Sequence, residues 1–137
     1  MITKEIKESK NLNINNDNIE VDNKKSKEDS IIKKHEYYTT LFDFYENLFT
    51  DKQRNYFSDF YFYDLSLSEI AKNYNISRSA VFDAIDKIHK QLDDYEKKLS
   101  LFKKFTDRDN IYNEYLLKNN INKDTLNELI NKLKEIE

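Results

Sequence analysis

The side chains best suited to bind a nucleic acid lie in one short segment, "NYNISRSAVFDAI" at residues 73–85. The Arg78 guanidinium can donate two parallel hydrogen bonds to a phosphate or a guanine edge, and the Ser79 hydroxyl can donate one. The Asp83 carboxylate can accept from the amino group of cytosine, although phosphates repel it. Phe82 is either an exposed contact or a residue that packs in a dimer. These residues predict DNA contacts; the alternative is that Arg78 pairs with a carboxylate near the turn.

Further donors and cations flank this segment. The candidates for additional DNA contact are Lys87, Ser66, Ser68, Lys52 and Arg54, with Asp86 among the outward positions beside Lys87. Lys52 and Arg54 also suit the exposed first turn of a helix without any ligand. A role in binding phosphate is therefore one of two interpretations of these residues.

The charge balance argues against tight DNA binding by one copy of the chain. The chain carries 23 Lys and Arg against 26 Asp and Glu, a net charge of −3. Residues 51–104 contain ten basic and nine acidic side chains. Because DNA-binding proteins draw much of their affinity from neutralised phosphates, we expect modest affinity. Two copies would double the contacts and fix the half-site spacing.

Catalytic and metal-binding chemistry is not expected. His35 and His89 are the only histidines, and neither has a second histidine at the helical spacing of a metal site. Cys and Gly are absent, which excludes thiolate ligands and glycine-rich phosphate loops. The carboxylates of "DDYEKK" are typical of a solvated helix flank with local ion pairs. We predict no enzymatic activity, no cofactor and no metal.

The chain has no candidate membrane segment. No stretch approaches the roughly 20 apolar residues of a membrane span. The first residues, "MITKEIKESKN", lack the apolar core of a signal peptide. We therefore expect no membrane insertion and a cytoplasmic location.

Helical periodicity and capping residues predict the elements that position these side chains. "HEYYTTLFDFYENLF", from His35, has the spacing of an amphipathic helix. The capping boxes "TDKQ" at 50–53 and "SLSE" at 66–69 begin two more helices. Asn75 can adopt the left-handed turn, and Ser77 caps the fourth helix. With no alternating strand pattern, the chain is predicted to be all-α, with a helix-turn-helix in a three-helix body.

The fourth helix carries an apolar heptad pattern beyond the length of that body. Its members, spaced alternately four and three residues apart, are Val81, Ile85, Ile88, Leu92, Tyr95, Leu99 and Phe102. The last four, from Leu92 onward, require another surface to cover them. We predict that they mediate homodimerisation; the alternative is that the C-terminal segments of the same chain cover them.

Three segments are predicted along the chain. Residues 1–34 are polar and lack aromatic side chains, so they are expected to form a disordered tail; a basic arm that touches DNA is the alternative. Residues 35–106 form the helix-turn-helix domain with its long fourth helix. Residues 107–137 form a C-terminal helical hairpin, whose two helices are separated by "KNNINKD".

The segments "DKQRNY", "SLSEIA" and "DYEKKL", joined by the pattern of residues 73–85, resemble the YlxM-type proteins of low-GC bacteria and mollicutes. These in turn resemble the promoter-binding C-terminal domain of bacterial sigma factors, which implies that the three-helix body is of winged-helix-like or sigma region 4-like type. The resemblance covers about residues 38–105, and nothing carries over to the first 34 residues.

The resemblance implies an all-helical, dimeric regulator that binds DNA. It also implies a link to the signal recognition particle pathway, whose targeting GTPase genes tend to neighbour genes of this family. Two hypotheses follow from the residues and the resemblance together. One is a dimeric helix-turn-helix protein of modest DNA affinity; the other is a module that contacts a protein or ribonucleoprotein of the targeting pathway without specific DNA binding.

Overall fold

The computed structural model describes the backbone of residues 2–137 and the side chains of residues 22–137. Its elements, listed in chain order, are α1 (Ile2–Tyr45), a 3-10 turn (Glu46–Leu48), α2 (Asp51–Tyr61), α3 (Leu67–Tyr74), α4 (Arg78–Leu99), α5 (Leu101–Leu116) and α6 (Lys123–Ile136). The described residues contain no strand, so the predicted all-α class is confirmed. None of the helices in this range is long and apolar enough to cross a membrane.

The chain divides into two units, one ending at Tyr37 and one spanning Tyr38–Glu137. In the first unit α1 begins at Ile2, so the backbone of residues 2–34 is helical in the segment for which the sequence predicts a tail. The segment contains neither Gly nor Pro, the two residues that most disfavour a helix interior. Once a helix has nucleated, each further residue adds a backbone hydrogen bond without another nucleation cost. The side chains of 22–37 are solvent-exposed.

The core of the second unit is built largely from aromatic side chains. The Phe42 and Phe57 rings are stacked with centroids 3.9 Å apart, and Phe57 is fully buried. The buried cluster comprises Leu41, Phe42, Tyr45, Phe49, Tyr56, Phe57, Tyr61, Ile70, Ala71, Val81, Ile85, Ile88 and Leu92. Each large side chain contributes about 1.5–3 kcal/mol by leaving water, which fixes the last turns of α1 against α2, α3 and α4.

Both predicted capping boxes are present. The Thr50 hydroxyl accepts from the Gln53 N–H at 3.2 Å, and the Gln53 amide oxygen accepts from the Thr50 N–H at 3.0 Å. Ser66 and Glu69 form the same reciprocal pair at 3.2 Å and 3.0 Å. These bonds satisfy backbone donors that a helix start leaves unpaired, so α2 and α3 begin where the sequence predicts.

The predicted long fourth helix is interrupted. α4 ends at Leu99, Ser100 is left-handed with φ 53° and ψ 35°, and α5 begins at Leu101. The expectation that the heptad residues from Val81 to Phe102 lie on one continuous helix was therefore wrong, and the predicted domain boundary at 106–107 falls inside α5. The heptad pattern continues across the break because both helices bury apolar residues, so the pattern alone cannot locate it.

Distant side chains stabilise this break. The Glu96 carboxylate accepts from the N–H groups of Phe102 at 3.2 Å and Lys103 at 3.1 Å, which are first-turn donors of α5. The Tyr45 hydroxyl accepts from the Leu101 N–H at 3.1 Å. The new helix start therefore has three of its backbone donors paired, one of them by a residue of α1.

The last two helices pack as a hairpin around Tyr115. Tyr115 is buried, with the Lys118 ammonium 4.0 Å from its ring centroid and that of Lys132 at 5.4 Å. Lys132 also pairs with Glu114 at 3.2 Å and with Glu128 at 3.6 Å. The contacts of Lys132 with Glu114 and Tyr115 join α6 to α5.

Candidate nucleic-acid interface

The helix-turn-helix is formed by α3, a left-handed turn and α4. Asn75 has φ 53° and ψ 47°, a conformation that Asn adopts more readily than most residues. The Ile76 N–H then donates to the Ala71 carbonyl at 3.0 Å and closes the end of α3. The Ser77 hydroxyl accepts from the Ala80 N–H at 3.1 Å and caps α4. The roles predicted for Asn75 and Ser77 are confirmed.

Buried residues on both helices fix their relative position. Ile70 and Val81 are fully buried, and Ala71 and Ile85 are nearly so. Small and branched apolar side chains allow the two helices to pack closely. The opposite side of α4 consequently faces solvent from its first turn onward.

Arg78 is the first residue of α4 and is solvent-exposed. Among the described residues its guanidinium makes no ion pair or hydrogen bond, so the alternative pairing with a carboxylate near the turn is not observed. The guanidinium carries five N–H donors and belongs to the first residue of α4, where the helix dipole also favours an anion. The position therefore suits a phosphate or a guanine edge.

Ser79 and Phe82 extend the exposed surface beside Arg78. The Ser79 hydroxyl lies 3.3 Å from that of Ser77 and remains exposed. The Phe82 side chain is 55% exposed and contacts no other aromatic ring in the described part of the chain. Phe82 follows Arg78 by four residues, so the two side chains are neighbours on one helix face.

The next turns of α4 carry mixed charge. Asp83 and Lys87 are both exposed, and no ion pair involves Lys87 within the described residues. Lys90 pairs with Asp86 at 2.6 Å, and this hydrogen bond and the Asp86 charge raise the pKa of Lys90. Lys87 therefore presents an unpaired cation, whereas the charge of Lys90 is partly neutralised.

Ser66 and Ser68 lie at the start of α3. The Ser66 hydroxyl oxygen accepts a hydrogen bond from the Glu69 N–H and so caps the N-terminus of α3. Ser68 is exposed on the first turn. The geometry leaves Ser68 the more accessible donor of the two.

Lys52 and Arg54 lie at a different part of the body. The Gln53 amide between them donates to the Gln91 side chain at 3.0 Å. Gln91 lies on α4 thirteen residues after Arg78, which corresponds to about 20 Å along the helix. Arg54 pairs with Asp51, and the Lys52 ammonium lies 5.7 Å from the Tyr56 ring centroid. The structure therefore does not bring Lys52 and Arg54 together with Arg78.

The four residues predicted for dimerisation differ in their burial within the chain. Leu92 is fully buried within its own chain, and Tyr95 packs with ring centroids 5.6 Å from Phe49. Phe102 is half-buried beside Phe44, with centroids 6.0 Å apart. Leu99 alone of the four stays exposed, at 47%. Much of the heptad pattern thus serves the core of one chain.

His89 has an environment that the sequence did not predict. It is half-buried, with the Tyr38 ring stacked on it at 4.1 Å between centroids. The Tyr61 hydroxyl lies 2.6 Å from His89 Nε2, and burial raises the pKa of Tyr61 to about 12. No group of residues that could hold a metal ion occurs in the part of the chain described. His89 therefore belongs to the packing of α1, α2 and α4.

Comparison with known proteins agrees with this geometry. A family model described as "UPF0122: Putative helix-turn-helix protein, YlxM / p13 like" matches residues 32–136. A UPF0122 protein of Staphylococcus epidermidis is 45% identical over 98 residues, covering 71% of this chain and 87% of the relative. UPF0122 protein YlxM of Bacillus subtilis is 49% identical over 74 residues, covering 54% of this chain and 67% of the relative.

Proposed function

The chain belongs to the UPF0122 family of YlxM- and p13-like helix-turn-helix proteins, and from this premise we propose that it is a regulatory protein that binds duplex DNA. The observation that carries the proposal is Arg78, exposed and unpaired among the described residues at the start of α4. The second helix of this motif enters the DNA major groove with its N-terminal residues. Such a protein acts in the cytoplasm, where the bacterial genome lies.

The contacts are assigned by position on α4. Arg78, Ser79, Phe82 and Asp83 face base edges, and Lys87 contacts a phosphate farther along. Ser68, at the start of α3, donates to a phosphate on the flank. Ser66 serves mainly as a cap, and Lys52 and Arg54 meet DNA only where it extends past the body.

Affinity in this proposal depends on two copies of the chain. One copy offers two unpaired cations on this part of α4, Arg78 and Lys87, against the exposed carboxylate of Asp83. Few neutralised phosphates give weak binding that falls steeply with salt. We place the dimer contact at the junction of α4 and α5, where Leu99, Leu101 and Phe105 expose apolar surface.

A mobility-shift assay tests the proposal. The probes are A/T-rich genomic fragments, and the salt concentration is varied from low to physiological values. Arg78→Ala should weaken binding at least about tenfold, because a bidentate contact contributes about 1–3 kcal/mol. Lys97→Ala is the matched control: Lys97 is also exposed on α4 and makes no ion pair among the described residues, but it lies nineteen residues away. Undetectable binding at low salt, or equal effects of both variants, would refute the proposal.

A second candidate function is contact with a protein or ribonucleoprotein of the signal recognition particle pathway. The observation favouring it is the acidic pair Asp83 and Asp86, with Lys90 engaged by Asp86 at 2.6 Å. A surface of this kind suits a basic protein partner better than phosphates. Recovery of targeting GTPase, alone or together with particle RNA, in a crosslinking pull-down, lost in Asp83→Lys, supports this function; recovery of promoter DNA and RNA polymerase contradicts it.

A further inference from the structure

We propose that Phe82 recognises the C5 methyl group of a thymine about two base pairs from the base pair that Arg78 contacts. The preferred ligand is then B-form duplex DNA that carries a guanine and a thymine at a fixed short spacing. This inference rests on the proposed function, because it requires α4 to enter the major groove. It adds a determinant of specificity to a surface that is otherwise polar.

The first observation is the isolation of Phe82. Its side chain is 55% exposed, while the next three exposed residues on α4, Asp83, Lys87 and Lys90, are polar. The aromatic residues of the core stack on one another, but Phe82 touches no other ring among the described residues. Its apolar surface therefore contributes little to the stability of the chain and remains available for a ligand.

The second observation is the spacing from Arg78. Four residues of α-helix span about 6 Å along the axis, and successive base pairs are stacked about 3.4 Å apart. If Arg78 donates to the O6 and N7 atoms of a guanine, the Phe82 ring lies about two base pairs along the groove. The two side chains extend from the same face of α4, so both can reach the groove floor together.

The chemistry of the groove selects the ligand. The thymine methyl is the apolar feature among the base edges of the major groove, and Phe is one of the side chains suited to contact it. Uracil lacks this methyl, and the narrow major groove of A-form RNA does not admit a helix. Phe82 thus favours DNA over RNA as the partner of α4.

Packing of Phe82 against a second copy of the chain is less consistent with its surroundings. Arg78 adjoins Phe82 and makes no ion pair within the described residues. A protein interface that covered Phe82 would also bury this uncompensated guanidinium, which is costly. In the major groove the same charge faces phosphates and guanine acceptors.

Base substitution tests the inference directly. A duplex is first selected with the full-length protein from a pool with a randomised centre, and each thymine is then replaced in turn by deoxyuridine. Pairing with adenine is kept, and only the methyl is lost. One replacement in each half-site should weaken binding by about fourfold, the effect of one apolar carbon leaving its contact.

The variants identify the side chain responsible. Phe82→Ala should bind the thymine duplex more weakly, and it should bind the thymine and deoxyuridine duplexes equally. Phe82→Leu, which keeps an apolar side chain, should retain part of the difference. Because Phe82 is exposed, both variants should unfold at the temperature of the parent protein, which thermal denaturation checks.

Each other outcome contradicts the inference in a recognisable way. Binding that responds to Arg78→Ala but tolerates deoxyuridine everywhere overturns it and leaves the proposed function standing. A sensitivity to deoxyuridine that persists in Phe82→Ala assigns the methyl contact to another residue. Loss of dimerisation in Phe82→Ala, seen by light scattering and without any methyl effect, places Phe82 in a protein interface. Absence of DNA binding at low salt removes the inference and the proposed function together.

Discussion

The hydroxyl of Tyr45 donates to Glu96 Oε2 at 2.6 Å, and this pair links the end of α1 to the junction between α4 and α5. The same hydroxyl accepts the Leu101 N–H at 3.1 Å, while Glu96 accepts the next two N–H groups of α5. Tyr45 is 1% exposed, so water cannot easily replace it. The direction of α5 is therefore fixed by a residue more than fifty positions earlier in the chain.

Tyr45→Phe should lower the free energy of unfolding by about 1–3 kcal/mol, because it leaves the Leu101 N–H and the Glu96 carboxylate without their buried partner. Urea denaturation measures the change. Tyr95→Phe is the matched control: Tyr95 packs against Tyr45, and its hydroxyl makes no hydrogen bond among the described residues. Equal losses in the two variants would show that the Tyr45 hydroxyl bonds contribute nothing specific.

Asn75→Ala should destabilise the chain by roughly 1 kcal/mol, because Ala tolerates the left-handed conformation at φ 53° poorly. Asn75→Gly should be neutral or slightly stabilising. Asn73→Ala provides the control, since Asn73 is exposed within α3 and Ala is the better helix former. Thermal denaturation of the three variants compares them; an Asn75→Gly protein less stable than Asn75→Ala would contradict the assigned turn.

The salt dependence of DNA binding should separate Lys87 from Lys90. Lys87→Ala removes an unpaired cation and should reduce the slope of log affinity against log salt by about 0.9. Lys90→Ala should change the slope less, because Lys90 pairs with Asp86 at 2.6 Å. Asp86→Ala releases Lys90 and should strengthen binding. Fluorescence anisotropy on one duplex over a salt series measures the slopes, and equal slopes for both lysine variants would disprove the distinction.

Alkaline pH should destabilise the chain through Tyr61. Burial raises its pKa from 10.0 to about 12 in the folded state, so the folded chain holds this proton more tightly than the unfolded chain does. The associated stability is complete below pH 10 and is lost as the pH rises towards 12, by roughly 2 kcal/mol in all. Urea denaturation at a series of pH values measures this loss. Tyr61→Phe removes the titrating group and should show a shallower decline; parallel curves would refute the assignment.

Dimerisation should depend on the junction of α4 and α5. Leu99→Glu places a charge on apolar surface that is 47% exposed and should shift the chain towards monomer in light scattering at tens of micromolar. Leu116→Glu alters a side chain that is 80% exposed at the end of α5 and serves as the control. A parent protein that is monomeric at this concentration would refute the dimer. Dissociation by Leu116→Glu alone would instead place the contact at the hairpin.

The sequence by itself determined the helix-turn-helix. The caps at Thr50, Ser66 and Ser77 and the left-handed turn at Asn75 all form as predicted. Each of these features depends on hydrogen bonds and steric limits within about four residues, so local sequence is enough to specify them. The apolar heptad pattern of the fourth helix likewise includes Val81 and Ile85, which are buried.

Only the tertiary structure decided where α4 ends and what its heptad residues contact. The break at Ser100 depends on Tyr45, and the half-burial of His89 depends on Tyr38 and Tyr61. Leu92 fits a dimer heptad and a core heptad equally well, because periodicity records which face is apolar and not what covers it. Packing against residues distant in the chain determines which side chains cover that face. The same packing leaves Arg78 and Phe82 exposed at the start of α4, where the proposed function places the contacts with DNA.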